Sequence, residues 1–355
     1  MKIITVVGAR PQFVKAAVVS RELKKHAAVT ELIIHTGQHH DANMSDVFFE
    51  EMDIPKPAFH LGIHGLGHGA MTGQMLEGIE NVLVQEKPDY VLVYGDTNST
   101  LAGALAASKL LIPVAHVEAG LRSFNMAMPE EQNRILTDRL SKLLFCPTQT
   151  AIDNLKKEGY PFQNKILLSG DVMQDAAMYY AENSAARSTV FKTLDVADFV
   201  LCTLHRAENT NDISRLKAII NALEKINQDR KVVLPLHPRT QKIMKDAGLH
   251  TSLTIIDPVG YFDMLELLKH CTLVMTDSGG LQKEAFFFSK YCVTLRDETE
   301  WVELVNGGFN FLAGANEELI LSAYSKALNT NADFTVDLYG GGNAAQRIVQ
   351  ELIHN

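Results

Sequence analysis

The chain has 355 residues, about two domains' worth of protein, and its 33 Lys and Arg against 42 Asp and Glu give a formal net charge of −9. A field of that sign repels nucleic acid and anionic membrane surfaces, so we expect neither as a partner. Apolar residues make up 46% and charged residues 21% of the chain, which is typical of a globular protein and excludes a disordered one.

Short apolar runs alternate with helical patterns from the N-terminus onward. The runs are rich in Val and Ile on both faces, which is typical of buried parallel strands, and the segments between them have helical periodicity. The predicted strands are residues 2–7, 31–35, 90–94 and 112–117, and the predicted helices are 12–25, 69–85 and 97–110. This order is the βαβ pattern of a parallel sheet.

A second series of the same kind begins near Phe199. Its predicted strands lie in FVLCTLH, KVVLPLH, SLTIID and TLVMTD, and its helices include 213–227 and 281–288. Between the two series, a helical segment at 172–180 leads into the polar stretch ENSAARST, and a turn YGGGN precedes a short amphipathic helix at the C-terminal end. We therefore predict an α/β chain of two domains, residues 1–170 joined by a C-terminal helix 344–355, and residues 171–343.

The cysteines indicate the redox environment of the protein. Cys146, Cys202, Cys271 and Cys292 are far apart and form no C-x-x-C pair, which predicts buried free thiols in a reducing compartment. The apolar run in MKIITVVGARPQ is too short for a signal peptide, and no uninterrupted apolar segment is long enough to span a bilayer. We therefore expect a cytoplasmic protein.

Charged and polar residues follow almost every predicted strand. Because ligands of open α/β sheets bind beyond the carboxyl ends of the strands, these residues are the candidates for a site. In the first domain they are Arg10, Lys15, Asp96, His116, Glu118 and Arg122, with Glu130 and Arg134 at the start of the next helix; in the second they are His205, Arg206, His237 and the segment 277–280.

The segment DSGG at 277–280 joins a predicted strand to a helix. Its small residues leave backbone N–H groups at the positive end of the helix, which suits a diphosphate, although Ser278 as a simple helix cap is the alternative. Glu284, further along this helix, is placed to reach ribose hydroxyls unless it lies on a solvated face. Arg10 and Lys15 also suggest an anion, because basic residues at a helix start oppose the helix dipole.

Three carboxylates, those of Asp96, Glu118 and Glu130, fall on this edge of the first predicted sheet together with cations. Such a set suggests acid–base chemistry or stabilisation of a carbocation. The alternative for Asp96 is an N-cap, and for Glu130 a favourable charge in the first turn of a helix.

No cofactor or metal is expected. The G-x-G-x-x-G fingerprint follows none of the predicted strands, which argues against NAD-dependent chemistry. His60, His64 and His68 have helical spacing, but the glycines among them make a helix, and therefore a metal site of this kind, improbable.

Six separated segments occur in the order of one known family. They are GARPQFVKAA, GDTNSTLAGALAA, HVEAGLRS, PEEQNRILTD, LHRAEN, and DSGGLQKEA with RDETEWVE. Over essentially the whole chain the sequence resembles the non-hydrolysing UDP-N-acetylglucosamine 2-epimerase family. The resemblance implies the glycosyltransferase-B architecture, in which two Rossmann-like doubly wound domains face each other across a cleft and the last helix crosses back to the first domain.

The resemblance also implies a role for each site residue. UDP is expected mainly on the second domain, with the diphosphate at Ser278, Gly279 and Gly280, the ribose at Glu284, and Arg10 and His205 on either side of the diphosphate. The implied catalytic residues are Asp96, Glu118 and Glu130, supported by Arg134 and His205. We add Lys15, Arg206, His237 and Arg296 to the predicted substrate and UDP-binding set.

The implied reaction is anti-elimination of UDP to a 2-acetamidoglucal, followed by return of UDP after C2 is reprotonated on the opposite face. This requires fixed cations and N–H dipoles at the leaving group, and carboxylates near C1 and C2 of the sugar. Which carboxylate removes the C2 proton and which restores it stays open. The resemblance also implies that the product serves the synthesis of surface polysaccharide precursors, and we expect a homodimer.

Several details resemble the branch that acts on UDP-2,3-diacetamido-2,3-dideoxyglucuronate, so the substrate is either this compound or UDP-N-acetylglucosamine. They are Trp301 where many relatives have Arg, the short loop RSFNMAMPEE, and the segments GARPQF, HTGQHHDANMS and LYGGG. The extra carboxylate of the glucuronate needs a further cation, for which Arg122 and Arg296 are candidates.

Other activities on the same architecture stay open, because a fold does not determine a function. They are a hydrolysing 2-epimerase, a glycosyltransferase, and a sensor that binds a UDP-sugar without turnover. Carboxylates close to a dianionic ligand would hinder pure binding, so their joint presence favours an enzyme over the sensor.

Overall fold

The computed structural model describes residues 1–38, 52, 54–160 and 164–354. The chain divides into two compact units, one made of residues 1–176 with 337–354 and the other of residues 177–336. The division falls within a helix, Val172–Ala181, that we expected to begin the second domain, and the chain rejoins the first unit at Asp337, ahead of the last helix. No helix of the described segments has the length and apolarity needed to cross a bilayer.

The first unit is built on a seven-stranded parallel sheet with the order β3-β2-β1-β4-β5-β6-β7. Its strands are β1 (Lys2–Val7), β2 (Thr30–His35), β3 (Phe59–His60), β4 (Tyr90–Tyr94), β5 (Val114–Val117), β6 (Leu143–Cys146) and β7 (Lys165–Leu168). Its helices are α1 (Arg10–Leu23), α2 (His68–Glu86), α3 (Asn98–Lys109), α4 (Pro129–Leu140), α5 (Gln149–Lys157), α6 (Val172–Ala181) and, at the C-terminal end, α16 (Ala344–His354). The strand order reverses between β1 and β4, which is where ligands bind in sheets of this kind.

The strands of the first unit are apolar on both parities because helices cover both faces of the sheet. All five residues of β4 are buried, and Val91 and Val93 pack with residues of α2 and α3 in one core cluster. On α16, the backbone N–H groups of Ala344 and Ala345 donate to the Asp175 carboxylate at 3.1 and 2.7 Å, and the helix packs on α1. The last helix is thereby fixed to the first unit.

The second unit contains a six-stranded parallel sheet with the order β10-β9-β8-β11-β12-β13. Its strands are β8 (Phe199–Thr203), β9 (Lys231–Pro235), β10 (Thr254–Ile256), β11 (Leu273–Thr276), β12 (Cys292–Thr294) and β13 (Asn310–Leu312). Its helices are α7 (Ser184–Arg187), α8 (Val190–Thr193), α9 (Ala207–Thr210), α10 (Ile213–Asp229), α11 (Pro238–Asp246), α12 (Tyr261–His270), α13 (Gly279–Phe287), α14 (Val302–Asn306) and α15 (Glu317–Asn329). The order reverses between β8 and β11, so this sheet has the same switch point as the first.

The observed sheets confirm the predicted α/β class, with two Rossmann-like folds in one chain. The strands predicted at 2–7 and 90–94 begin and end at the same residues in the structure, and the others differ at their ends by a few residues. His60 ends β3 and His68 begins α2, so the three histidines do not lie on one helix.

Candidate active site

The candidate residues of the first unit meet at the carboxyl ends of β1, β4 and β5 in two ion pairs. The Nζ atom of Lys15, on α1, contacts the carboxylate of Glu118, which follows β5. An Nη atom of Arg134, on α4, contacts the carboxylate of Asp96, which follows β4. Both members of the lysine pair are about nine-tenths buried, whereas the Asp96 side chain is 31% exposed.

The turn from β1 into α1 is tied to β4 by the side chain of Gln12. Its Oε1 accepts from the backbone N–H of Gly8 at 2.8 Å, and its Nε2 donates to the carbonyl of Tyr94 at 2.9 Å. A Cβ atom on Gly8 would lie 2.0 Å from the Thr36 hydroxyl and 2.2 Å from that of Ser99, so only glycine fits there. The close approach of these segments places the start of α1 beside the end of β4.

Glu118 adopts a left-handed backbone conformation with φ of 75°, which is unusual for a residue with a side chain. Its N–H donates to the carbonyl of Phe145 at 3.0 Å, so β6 holds the strained turn. Backbone strain of this kind is concentrated at functional sites, where the surroundings stabilise it. The strain is an independent reason to regard Glu118 as a site residue.

A buried network beneath Glu118 joins β4, β5 and α4. The imidazole of His116 lies 2.7 Å from both the carbonyl oxygen of Gly95 and Oδ1 of Asp138. From its position on β5, the ring thus bridges the end of β4 and the side chain of Asp138 on α4. The other oxygen of Asp138 accepts from Gly120 N–H at 3.1 Å and from Arg122 at 2.7 Å.

Burial by itself would raise the pKa of Asp138, but hydrogen bonds and charge from His116 and Arg122 hold that pKa below its ordinary value. Arg122 also makes a bidentate contact with Glu158, at 2.6 and 2.9 Å, and is 3% exposed. The proposal that Arg122 binds a substrate carboxylate is therefore not supported, since its buried guanidinium is already bound by two acidic side chains.

The adjacent residues Glu130 and Glu131 occupy different environments at the start of α4. Glu130 is exposed, and no described hydrogen bond joins it to the other candidate residues. Glu131 is fully buried, lies 3.2 Å from Arg134, and accepts hydrogen bonds from Ser123 and Phe124. Sequence reasoning selected Glu130 and missed Glu131, and the i,i+3 spacing of Glu131 and Arg134 is the signal that was available.

In the second unit, the side chain of Asp277 connects the ends of β8 and β11. It is fully buried and accepts from the backbone N–H groups of His205 and Arg206, from the Asn209 amide, and from His205 Nδ1 at 3.1 Å. Burial would raise the pKa of Asp277, but these donors outweigh it and hold the pKa below its usual value. His205 itself is 57% exposed, so its ring is fixed at one edge and open to solvent at the other.

The predicted diphosphate turn begins α13, with Ser278 as the N-cap and Gly280 exposed. The Ser278 N–H donates to Thr276 Oγ1 at 2.9 Å. A Cβ atom on Gly279 would lie 2.6 Å from a carboxylate oxygen of Glu300, which pairs with Arg296 at 2.9 Å. Arg296 is 2% exposed, so it supports the turn from beneath, and the structure does not bring it to the exposed side where a substrate carboxylate would bind.

Two further buried groups lie on or against α13. The ammonium of Lys283 stands 4.0 Å from the centre of the Trp301 ring, and both side chains are buried. Glu284 is 7% exposed and lies near Tyr261, whose hydroxyl pKa is raised well above its ordinary value by burial and by the Glu284 charge. Glu284 therefore does not lie on a solvated face of the helix, and its contact with the ribose stays a prediction.

The remaining predicted residues lie at helix starts. Arg10 is the first residue of α1 and is half-buried, Arg206 is the N-cap of α9, and the exposed His237 caps α11 by accepting the Arg239 N–H at 3.2 Å. In the described segments, no group of three or more His, Cys, Asp or Glu side chains is arranged to hold a metal ion. Most of HTGQHHDANMS, from His39 onward, lies outside the described residues.

Comparisons with known proteins identify the chain's relatives. Residues 21–353 match the sequence model of the family described as UDP-N-acetylglucosamine 2-epimerase. A UDP-2,3-diacetamido-2,3-dideoxy-D-glucuronate 2-epimerase of Pseudomonas aeruginosa is 57% identical over 355 residues, covering 99% of each chain. A UDP-N-acetylglucosamine 2-epimerase of Methanocaldococcus jannaschii is 43% identical, covering 100% of this chain and 99% of its own.

Solved structures give the same result for the fold. The crystal structure of the Methanocaldococcus jannaschii enzyme in complex with UDP-GlcNAc and UDP matches with a TM-score of 0.93, covering 100% of both chains. The Neisseria meningitidis UDP-GlcNAc 2-epimerase bound to UDP-GlcNAc matches with a TM-score of 0.88 at 32% identity, again over 100% of both chains. These similarities confirm the predicted family, its diacetamidoglucuronate branch and the glycosyltransferase-B class.

Replacing Asp138 by Asn is expected to lower the free energy of unfolding by about 3–5 kcal/mol near pH 7, because it leaves buried donors and a buried arginine without their charge partner. The folded-state pKa of Asp138 is depressed, so its contribution is present above the unfolded value and is lost as pH falls through the folded one. Urea unfolding at several pH values tests this, and the difference between the two proteins should shrink below about pH 4.

The exposed pair of Asp198 and Arg230 is the matched control for this prediction. Asp198 is 60% exposed and accepts from Arg230 at 2.9 Å. Asp198→Asn is expected to cost less than about 1 kcal/mol. Equal losses in the two variants would contradict the special role of the buried network.

Proposed function

The chain belongs to the UDP-N-acetylglucosamine 2-epimerase family, and from this premise we propose that it is a non-hydrolysing 2-epimerase of a UDP-2-acetamido sugar. The principal support is the pair of carboxylates at neighbouring strand ends, Asp96 and Glu118, each in contact with its own cation. The strained backbone of Glu118 adds to this support, since strain of this kind is concentrated at functional sites.

The proposed reaction needs no external reactant. A carboxylate takes the C2 proton, the C1–O bond breaks, and UDP departs with the bonding electrons, leaving a 2-acetamidoglucal. A proton then returns to C2 on the opposite face, and the same UDP oxygen attacks C1. Two carboxylates held by different partners supply a base and an acid for the two faces, and Glu130 remains a third candidate.

The UDP leaving group is assigned to groups that can stabilise its negative charge. The exposed Gly280 and the half-buried Ser278 and Gly279 present backbone N–H groups at the start of α13, and His205 is open to solvent on one edge. Arg10, Arg206 and His237 stand at helix starts, where basic residues oppose the helix dipole and therefore favour an anionic ligand. Lys15 is assigned to the sugar side, because it contacts Glu118.

The preferred substrate is UDP-2,3-diacetamido-2,3-dideoxyglucuronate, with UDP-N-acetylglucosamine as the second candidate. The first choice rests on 57% identity over 99% of the chain with an enzyme named for that sugar. The second rests on solved relatives whose complexes contain UDP-GlcNAc. Since Arg122 and Arg296 are bound to buried acidic groups, the cation for the glucuronate carboxylate must come from another residue.

We also propose that the protein is a cytoplasmic homodimer. Its four cysteines are all free and buried, as expected in a reducing compartment. Leu111, at the end of α3, is 91% exposed, and Val84 on the neighbouring α2 is 52% exposed, so this helical layer presents apolar side chains that a second copy would cover.

Incubation with each UDP-sugar in D2O, without NAD, tests the activity. We expect the C2 epimer to accumulate with deuterium at C2 and without free sugar, because the proton removed exchanges with solvent before C2 is reprotonated. Proton NMR of the C1 and C2 signals measures this. Retention of the C2 hydrogen, or release of free sugar with UDP, would exclude the proposed reaction.

Asp96→Asn is expected to lower kcat by roughly 10²- to 10⁴-fold, the usual contribution of a general acid or base, while UDP still binds. Calorimetric titration with UDP and NMR turnover separate the two effects. Asp89→Asn, at the opposite end of β4, is the matched control and should keep full turnover. Loss of UDP binding together with turnover in Asp96→Asn would instead indicate a structural role.

Light scattering on the purified protein tests the assembly. We expect twice the mass of one chain for the native protein, and a shift towards a single chain in Leu111→Asp, because the charge opposes burial of the patch. A single-chain mass for the native protein would refute the dimer.

A further inference from the structure

Glu131, on α4, is fully buried, and both oxygens of its carboxylate have polar contacts. Its Oε2 accepts from the Ser123 N–H at 2.9 Å and from the Ser123 hydroxyl at 3.0 Å, and lies 3.2 Å from Nη1 of Arg134. Its Oε1 accepts from the Phe124 N–H at 3.0 Å. The carboxylate therefore joins the loop after β5 to the arginine that contacts Asp96.

This loop, residues 122–128, includes a second strained position. Phe124 has a φ of 60°, a conformation that is costly for an aromatic residue, and its side chain is 76% exposed. No burial of the ring compensates for the strain, and the backbone is held instead by the hydrogen bond to Glu131. The loop then continues into α4 through Asn125, whose carbonyl accepts from Met128 at 3.0 Å.

Arg134 contacts two carboxylates, so Glu131 also influences the second part of the site. One Nη atom of Arg134 contacts Asp96 and the other is 3.2 Å from Glu131. A guanidinium is planar and rigid, so fixing one side of it fixes the direction of the other. Asn133 adds to this by donating to the carbonyl of Asp96 at 2.9 Å.

We propose that Glu131 is a positioning residue of the reaction, which fixes the loop 122–128 and, through Arg134, the direction of the Asp96 carboxylate. Its neighbour Glu130 is exposed, so the two glutamates have separate roles. The inference rests on the proposed epimerisation, since positioning is defined by the reaction it serves. A misplacement of about 1 Å at reacting groups is enough to cost roughly 10²-fold in rate.

Glu131→Gln is the primary test, measured by turnover and by UDP affinity. We expect kcat to fall about 10²-fold, because Glu131→Gln removes one acceptor oxygen and the negative charge beside Arg134. UDP affinity should be unchanged, because the variant does not alter the proposed UDP-binding groups of the second unit. The acidic limb of the pH–rate profile should also move to lower pH. Of these two carboxylates only Asp96 then remains beside Arg134, and the charge of Arg134 favours its ionised form. A purely structural role would not move this limb.

Two controls make the test specific. Glu266 is a buried carboxylate of the second unit that accepts from Ser184 at 2.6 Å and Lys269 at 2.8 Å, so Glu266→Gln removes a similar clamp elsewhere. It should lower stability without moving the pH profile. Glu131→Asp retains the charge, and we expect it to keep the native acidic limb while losing part of kcat.

The strained turn provides a further variant. Glycine adopts φ of 60° at little cost, so adding Phe124→Gly to Glu131→Gln should restore part of kcat while leaving the displaced acidic limb unchanged. Native kcat and a native pH profile in Glu131→Gln, or equal effects in the Glu266 control, would overturn the inference. If the unaltered protein formed no epimer from either UDP-sugar, the proposed function would fail first, and the inference with it.

Discussion

The site of the first unit depends on one buried carboxylate. Asp138 is removed from water and is stable as an ion only because His116, Gly120 and Arg122 direct donors at it. Each donor comes from the segment that leads to or follows Glu118, so satisfying Asp138 also shapes the turn in which Glu118 adopts φ of 75°. The burial of the Asp138 charge and the placement of Glu118 therefore depend on the same set of contacts.

The second unit also contains a buried aspartate that accepts several hydrogen bonds, and this one lies at the switch point between β8 and β11. Asp277 is fully buried and accepts from the backbone of His205 and Arg206, which follow β8, while it stands itself at the end of β11. A backbone N–H has a fixed direction, so a carboxylate that accepts two of them sets the path of a loop more strictly than apolar packing does. The two aspartates differ in position, since Asp277 follows β11 at the switch point of its sheet, whereas Asp138 lies on α4 and reaches the ends of β4 and β5.

Sequence reasoning was most successful where a single property decides the structure. Apolar runs on both parities predicted the strands, and the predicted residues Asp96 and Glu118 do follow neighbouring strands, where Arg134 contacts the first and Lys15 the second. It was least successful for neighbouring residues of one type. Glu130 and Glu131 differ only in which side of the first turn of α4 they face, and that depends on the path of the loop before it.

The basic residues show a second reason for this limit. Arg122 and Arg296 follow strands, as ligand-binding residues do, yet both are buried and paired with acidic side chains. The partner of Arg296 is Glu300, four residues further along the chain, whereas the partners of Arg122 are distant in sequence. Glu158 is 36 residues from Arg122 along the chain, so no local pattern predicts their bidentate contact. Burial and pairing of a charge are set by tertiary contacts, and position after a strand identifies only the candidates.

Ion pairs between cations and carboxylates also change how the net negative charge of the chain should be interpreted. Lys15 and Arg134, which a count of cations would assign to an anionic ligand, each contact a carboxylate, so much of their charge is already compensated locally. In the proposed function, UDP would therefore be held chiefly by groups without a carboxylate of that kind, above all the backbone N–H groups at the start of α13 and the exposed His237. The paired cations suit a different task, since in the proposed reaction a fixed cation would hold its carboxylate in place. The acidic residues behind the net charge of −9 thus include carboxylates in direct contact with cations, among them Asp96, Glu118 and Glu131.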